Sequence, residues 1–350
     1  FIVILCHFLA PRVSFHALFS NHQTIDKQAF FSDLLTMMSL EEKVGQMNQY
    51  TGFYDHTGPV TRGVDPDTKR EHIRQGKVGS ILNVKGVAEI LEMQSLAVEE
   101  SRLGIPLIFG LDVIHGYRTL SPIPLAEAAS FDLESIRRSA EMGGREAAAS
   151  GVNWTFAPMV DVSRDARWGR VMEGAGEDPW YGAQVAIARI KGFQGDDLSD
   201  PLTVAACAKH FAAYGFAEAG RDYNTVDISP STLHNAVLPP FRAAVEAGVC
   251  TFMNGFNELN GVPVTADRYL QRELLKGQWA FDGFVVSDWN SVGELPTHGH
   301  AHDLKEATEL GVNAGCDMDM EAHAYREHLV DLINEGKLTV SQVDDAVRRI

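Results

Sequence analysis

The sequence predicts an α/β protein closed as a (β/α)8 barrel of the TIM type, and three observations lead there. After residue 30, eight short apolar runs follow one another at 44–50, 78–84, 107–114, 154–162, 204–211, 250–256, 284–289 and 312–320. Helical segments lie between most of them, at 87–103, 133–149, 233–247, 266–278 and 323–336. Nearly every run ends in a charged or hydrogen-bonding residue. Strands alternating with helices in that number match a parallel barrel, which keeps its chemistry at the carboxyl ends of its strands. An open, doubly wound sheet is the structural alternative. It would carry a Gly-rich phosphate turn after an early strand, and none is present.

The elements can be justified in order. Ser39-Leu-Glu-Glu42 has the spacing of a capping box and opens a helical turn. Val87, Ile90, Leu91, Gln94 and Val98 recur at helical spacing. Residues 133–149 combine an Ala-rich face with a Glu/Arg-rich one, and Gly336 is placed as a helix C-cap. Phe284, Val285 and Val286 form an apolar, partly β-branched run suited to a strand buried on both faces.

Composition narrows the function. The chain has 350 residues, 45% hydrophobic and 22% charged, as expected of a globular protein. Its net charge of −17, with no basic run, argues against nucleic acid and anionic membrane as partners. Cys6, Cys207, Cys250 and Cys316 show no metal-binding spacing, and the last three lie in apolar runs, as isolated buried thiols do. The run Phe1–Ala10 is too short to span a bilayer. It is similar to the apolar core of a secretory signal, without a basic segment before it. Residues 1–20 are therefore set apart as a signal remnant or an added segment, and 21–350 are read as one barrel domain.

The strand ends carry Asp112 and His115, Asp161 with Arg164, Lys209-His210, Met253-Asn254, Asp288-Trp289, and Asp317 with Asp319. In a barrel these converge on one pocket. Polar strand ends are also what any loop boundary provides, and Asp288 has an alternative reading as a helix cap. The Lys209-His210 pair is harder to dismiss, because it directly follows the apolar stretch 204–208.

Taken together, these motifs resemble the N-terminal barrel domain of glycoside hydrolase family 3, of the bacterial periplasmic β-glucosidase type. The resemblance covers about residues 30–350 and rests on Gly110-Leu-Asp-Val-Ile-His-Gly-Tyr-Arg118, Ala157-Pro-Met-Val-Asp-Val-Ser-Arg164, Arg167-Trp-Gly-Arg170, Glu177-Asp-Pro179, Lys209-His-Phe211, Gly220-Arg-Asp-Tyr-Asn224 and Ser287-Asp-Trp289. Each is short; their order and strand-end positions make the set specific. The resemblance implies a retaining, exo-acting β-glucosidase or β-glucanase that needs no cofactor and no metal. It implies β-linked gluco-oligosaccharides or aryl and alkyl β-glucosides as substrates, and a periplasmic or secreted location. A homodimer is open to it.

Retaining enzymes use one carboxyl as nucleophile and a second, about 5–5.5 Å away, as acid/base. By resemblance Asp288 is the nucleophile, and Asp112, Arg170, Lys209 and His210 bind hydroxyls of the terminal sugar. Met253 keeps an apolar role there, and Trp289 walls the pocket. A nucleophilic carboxylate must be ionised, and Lys209 and Arg170 are expected to lower its pKa. Arg164, Arg167, Glu173 and Glu177 are read as a salt-bridge network holding their loop. The acid/base in this family comes from a second α/β domain or from a barrel loop. The segment 212–224 matches the two-domain branch, so the acid/base is expected outside these residues. Two further features pull elsewhere. His298-Gly-His-Ala-His-Asp303 alternates histidines as an extended metal-binding loop would, which would suit a metal-dependent hydrolase. A β-xylosidase and a glucan-binding barrel without turnover are the remaining alternatives.

Overall fold

The structure is a computed structural model and describes residues 27–53, 64–84 and 86–350. The segment 1–20, with Cys6, lies outside the described residues. Eight strands form the barrel: β1 Asn48–Thr51, β2 Ser80–Leu82, β3 Ile108–Leu111, β4 Trp154–Thr155, β5 Cys207–Phe211, β6 Thr251–Asn254, β7 Phe284–Val286 and β8 Asp319–Met320. All pair in parallel. One sheet runs β8-β1-β2-β3-β4 and another β5-β6-β7. Parallel bridges Trp154–Ala205 and Met159–Lys209 join β4 to β5, and Val286–Met318 joins β7 to β8, so the ring closes. The expected (β/α)8 barrel is what forms.

Side-chain alternation sorts the residues into two layers. Leu82, Trp154, Phe156, Cys207, Met253, Phe284, Val286, Met318 and Met320 fill the barrel interior as one cluster. Their neighbours Ile81, Phe109, Phe252 and Val285 pack outward with helix residues such as Ile90, Met93, Ala140 and Phe241. Because successive residues alternate faces, Asp112, Lys209, Met253 and Asp288 share the inward parity. Gly110 is needed beside them: a Cβ there would lie 2.5 Å from Phe156 Cζ inside the barrel.

Several boundaries differ from expectation, each for a local reason. The run 44–50 begins as helix, because the Ser39/Glu42 capping box drives Leu40–Gln46 into a helix before β1 starts. The run 312–320 also begins as helix: Leu304–Ala314 ends at Gly315 in the left-handed region (φ 108), and only Asp319–Met320 is strand. The expected helix 233–247 is divided near Pro239 and Pro240, which have no N–H to donate. Helices Pro66–Arg74 and Pro179–Gln194, not anticipated, start with proline in the first turn behind Asp65 and Asp178 caps. Cys207, Cys250 and Cys316 are free thiols whose pKa burial pushes up to about 12, about 11 and about 12.

Candidate active site

Asp288 lies just beyond β7 at the carboxyl rim and is only 8% exposed. The amide of Trp289 donates to its Oδ1 at 2.6 Å. Its carboxyl does not cap the next helix, Ser291–Glu294, whose cap residue is Asn290. The helix-cap reading therefore fails on geometry.

Across the rim, Lys209 Nζ donates to Asp112 Oδ1 at 2.7 Å. The lysine side chain is 4% exposed and the aspartate side chain 49%, so the pair opens outward through its acid. Burial opposes the charge on Lys209, but Asp112, with Glu173 and Asp288, outweighs it and raises the lysine pKa. His210 is fully enclosed. Its backbone N and its Nδ1 both lie 2.8 Å from Asp161 Oδ2; with Asp161 ionised, the ring donates from Nδ1. Nε2 then presents a lone pair, 3.5 Å from Asp288 Oδ2. Burial, with Arg170 and Lys209, holds His210 well below its ordinary pKa, so it is a neutral ring. Burial pushes its partner Asp161 up to about 7.

Arg170 grips Glu173 with two bonds, Nε to Oε1 at 2.7 Å and an Nη to Oε2 at 3.0 Å, and lies 5.6 Å over the Tyr214 ring. Burial raises Glu173, but Arg170 and Lys209 outweigh it and keep that carboxyl below its usual range. The expected four-residue network does not form as read. Arg167 bonds Asp165 instead, at 2.6 Å, and Arg164 lies 5.4 Å over the Phe216 ring. Met253 is in the interior cluster, and Trp289 packs half-buried between that cluster and the one containing Met159, Trp168, Tyr214 and Phe256.

The expected depression of the Asp288 pKa is also corrected. Burial pushes it up to about 6, while Arg170 and Lys209 pull down. Removing water from a carboxylate disfavours its charge, and two cations already engaged by Glu173 and Asp112 only partly compensate.

One residue escaped the sequence reading. Glu294 closes the short helix after Asp288 and is partly buried. Burial, then Asp288, pushes its carboxyl up to about 7. The signal was a carboxylate six positions beyond Asp288, in the same rim loop. The histidine loop gives no metal centre. Asp303 is spent capping Leu304–Ala314, and among the described residues no group of three or more His, Cys, Asp or Glu is placed to hold a metal ion. Among the described residues, too, no helix is long and apolar enough to cross a membrane.

Comparison with known proteins gives a consistent set of similarities. Residues 39–350 match the family described as "Glycosyl hydrolase family 3 N terminal domain". The chain is 41% identical over 339 residues to a periplasmic β-glucosidase of Salmonella typhimurium, covering 95% of this chain and 43% of that one. It is 36% identical over 296 residues to a β-xylosidase of Formosa agariphila, covering 78% of this chain and 41% of that one. The fold superposes on a β-glucosidase from Listeria innocua in complex with isofagomine, with TM-score 0.87 and 42% identity, over 92% of this chain and 45% of that one. A mutant of the Listeria enzyme in complex with laminaribiose gives TM-score 0.86 at 41% identity, again over 92% and 45%. The chain thus spans less than half the length of each of these relatives.

Proposed function

This chain belongs to glycosyl hydrolase family 3, and from that premise we propose that its barrel carries the nucleophile side of a retaining, exo-acting β-glucosidase or β-glucanase. The observation that carries the proposal is the placement of Asp288 on the rim beside Lys209, Arg170 and a neutral His210. Substrates are β-linked gluco-oligosaccharides or aryl and alkyl β-glucosides, and the location is periplasmic or secreted. The relatives named above support both readings.

The chemistry follows from the charges. Asp288, ionised, attacks the anomeric carbon as the C–O bond to the leaving group breaks, giving a glycosyl ester. Asp112 accepts from sugar hydroxyls, while Lys209 and Arg170 donate to them or face the developing charge. Such bonds strengthen in the oxocarbenium-like transition state. The departing oxygen needs a proton. Asp112 is paired with Lys209, Glu173 with Arg170, and Asp161 is enclosed against His210. Glu294, whose carboxyl burial and then Asp288 push up to about 7, shares the rim loop with the nucleophile, but the acid/base is expected outside these residues. That acid/base group gives its proton to the leaving oxygen, and then takes one from the water that hydrolyses the ester. The Asp288 carboxylate returns at that step.

The test is the configuration of the first product. With cellobiose, laminaribiose or an aryl β-glucoside, proton NMR should show β-glucose before mutarotation; α-glucose first would contradict the reading. A β-xylosidase is the second reading, favoured by relatives of that name. A kcat/KM for aryl β-xyloside above that for the glucoside would establish it.

A further inference from the structure

His210 and Asp161 are sealed together at the rim, with side chains 0% and 1% exposed. The backbone ladder continues past β4: Val160 N donates to the Lys209 carbonyl at 2.7 Å, and Lys209 N to the Pro158 carbonyl at 3.1 Å. That ladder sets Asp161 beside His210, where its Oδ2 lies 2.8 Å from both the backbone N and the ring Nδ1. The other ring nitrogen, Nε2, has no hydrogen-bond partner among the described residues and lies 3.5 Å from Asp288 Oδ2. Asp288 takes the Trp289 amide on its opposite oxygen, Oδ1. Resting on the retaining-glycosidase reading, we propose that Asp161 is a positioning residue of this site: it holds the His210 ring so that Nε2 meets Asp288 with a lone pair instead of an N–H, leaving Oδ2 of the nucleophile without a donor from that side.

The surroundings support this assignment. The ring is closed to solvent, so its tautomer is chosen by what the protein offers. Asp161 offers Nδ1 an acceptor whose one oxygen also takes the His210 amide. That amide, Arg170 and Lys209 favour the ionised form of Asp161 against its burial. Burial, Arg170 and Lys209 keep a second proton off the ring. Tyr214 meets the ring edge-on at 5.3 Å, with planes at 85°, and packs its face. Around the nucleophile itself, Arg170 and Lys209 are bonded to Glu173 and Asp112. Glu294, Tyr223 and Cys207 are the other titratable groups that sense its charge.

The arrangement has a catalytic consequence. A bond donated to Oδ2 would stabilise the ionised nucleophile and weaken as its charge passes into the new C–O bond, so it would raise the barrier to attack. A lone pair facing Oδ2 avoids that loss, and it disfavours the ionised carboxyl instead of favouring it.

Nitrogen-15 NMR of the histidine-labelled protein reads the tautomer directly, with the His210 resonances identified by their loss in His210→Gln. Near neutral pH, Nδ1 should carry the proton and Nε2 should be bare. A proton on Nε2, in the other neutral form or in an imidazolium, overturns the proposal. Asp161→Ala gives the kinetic readout. Freed from Asp161, the ring turns an N–H to Asp288, so the acidic limb of kcat/KM should move downward by about half a pH unit. The plateau should fall on the order of tenfold, the cost of breaking a hydrogen bond to a charged group. A plateau that falls while the limb stays in place or moves upward would mean that Asp161 serves only the fold, and overturns the proposal as well. Should Asp161→Ala fail to fold, the NMR result decides alone. The underlying reading fails separately: α-glucose as first product sinks the retaining mechanism whatever the tautomer, whereas a protonated Nε2 with β-glucose first sinks only the role of Asp161.

Discussion

Two buried lysines in this barrel each hold an aspartate, and they do opposite things. Near the amino end of β8, Lys276 Nζ bonds both oxygens of Asp317 at 2.7 and 2.6 Å and the Gly315 carbonyl at 2.7 Å. Asp317 also accepts the Val285 amide at 2.8 Å. Both side chains are sealed, at 4% and 1% exposed. At the carboxyl rim, Lys209 is as buried, but its partner Asp112 is half open and keeps spare acceptor sites. The first pair is saturated and ties β7 to β8. The second keeps open acceptor capacity, which in the proposed function a sugar hydroxyl would complete. Burial of a lysine does not distinguish the two; unused bonding capacity on its partner does.

That contrast can be broken or sharpened by substitution, and the largest effect should fall on the nucleophile. Asp288→Asn keeps side-chain volume but cannot form the ester, so turnover should drop on the order of 10⁴-fold or more with little change in unfolding midpoint. Wild-type kinetics with unchanged stability would return Asp288 to a structural role. Next comes Lys276→Met, which strands a sealed carboxylate. Denaturant titration should show about 3–5 kcal/mol lost, with kcat per folded molecule preserved. A rim-like result, in which activity falls and stability does not, would erase the distinction between the pairs.

Lys209→Ala should do the reverse of Lys276→Met. Its kcat should fall at least as far as its KM rises, because its contacts tighten in the transition state. A change confined to KM would mean that it only holds the sugar. A milder signature is the pH profile. Asp288 must lose its proton, so kcat/KM should rise with pH through about 6. A kcat/KM that falls as the pH rises through about 6 would contradict an ionised Asp288. The smallest effect expected is none: dialysis against a strong chelator should leave turnover intact, since transfer through carboxylates needs no Lewis acid. Loss restored by zinc would bring back His298, His300 and His302.

The difference between the two pairs also marks how far the sequence could be read. Strand identity was legible, because a buried parallel strand such as Phe284–Val286 has little choice but an apolar run. Inward parity then made Asp112, Lys209 and Asp288 visible as a group. What stayed hidden depends on contacts across the fold. Nothing local shows that Arg170 closes on Glu173 while Arg167 turns to Asp165. Nor does it show that Lys209 would meet Asp112, 97 positions away. The sign of the Asp288 pKa shift was misjudged for the same reason. Charges can be counted along a chain, but the desolvation that outweighs them exists only once the barrel has closed. The raised pKa of Glu294 was hidden too, because it comes from burial beside Asp288, not from its own spacing.

The central claim is that Asp288 forms a covalent bond to the sugar. A 2-deoxy-2-fluoro glucoside with a good leaving group slows both steps while letting the first proceed with little help from a proton donor, so the ester accumulates. Peptide mass spectrometry of the trapped protein should then place one fluoroglucosyl group within Gly283–Trp289, on Asp288. A label on Glu173, Glu294 or Asp317, or no label with turnover continuing, would contradict it.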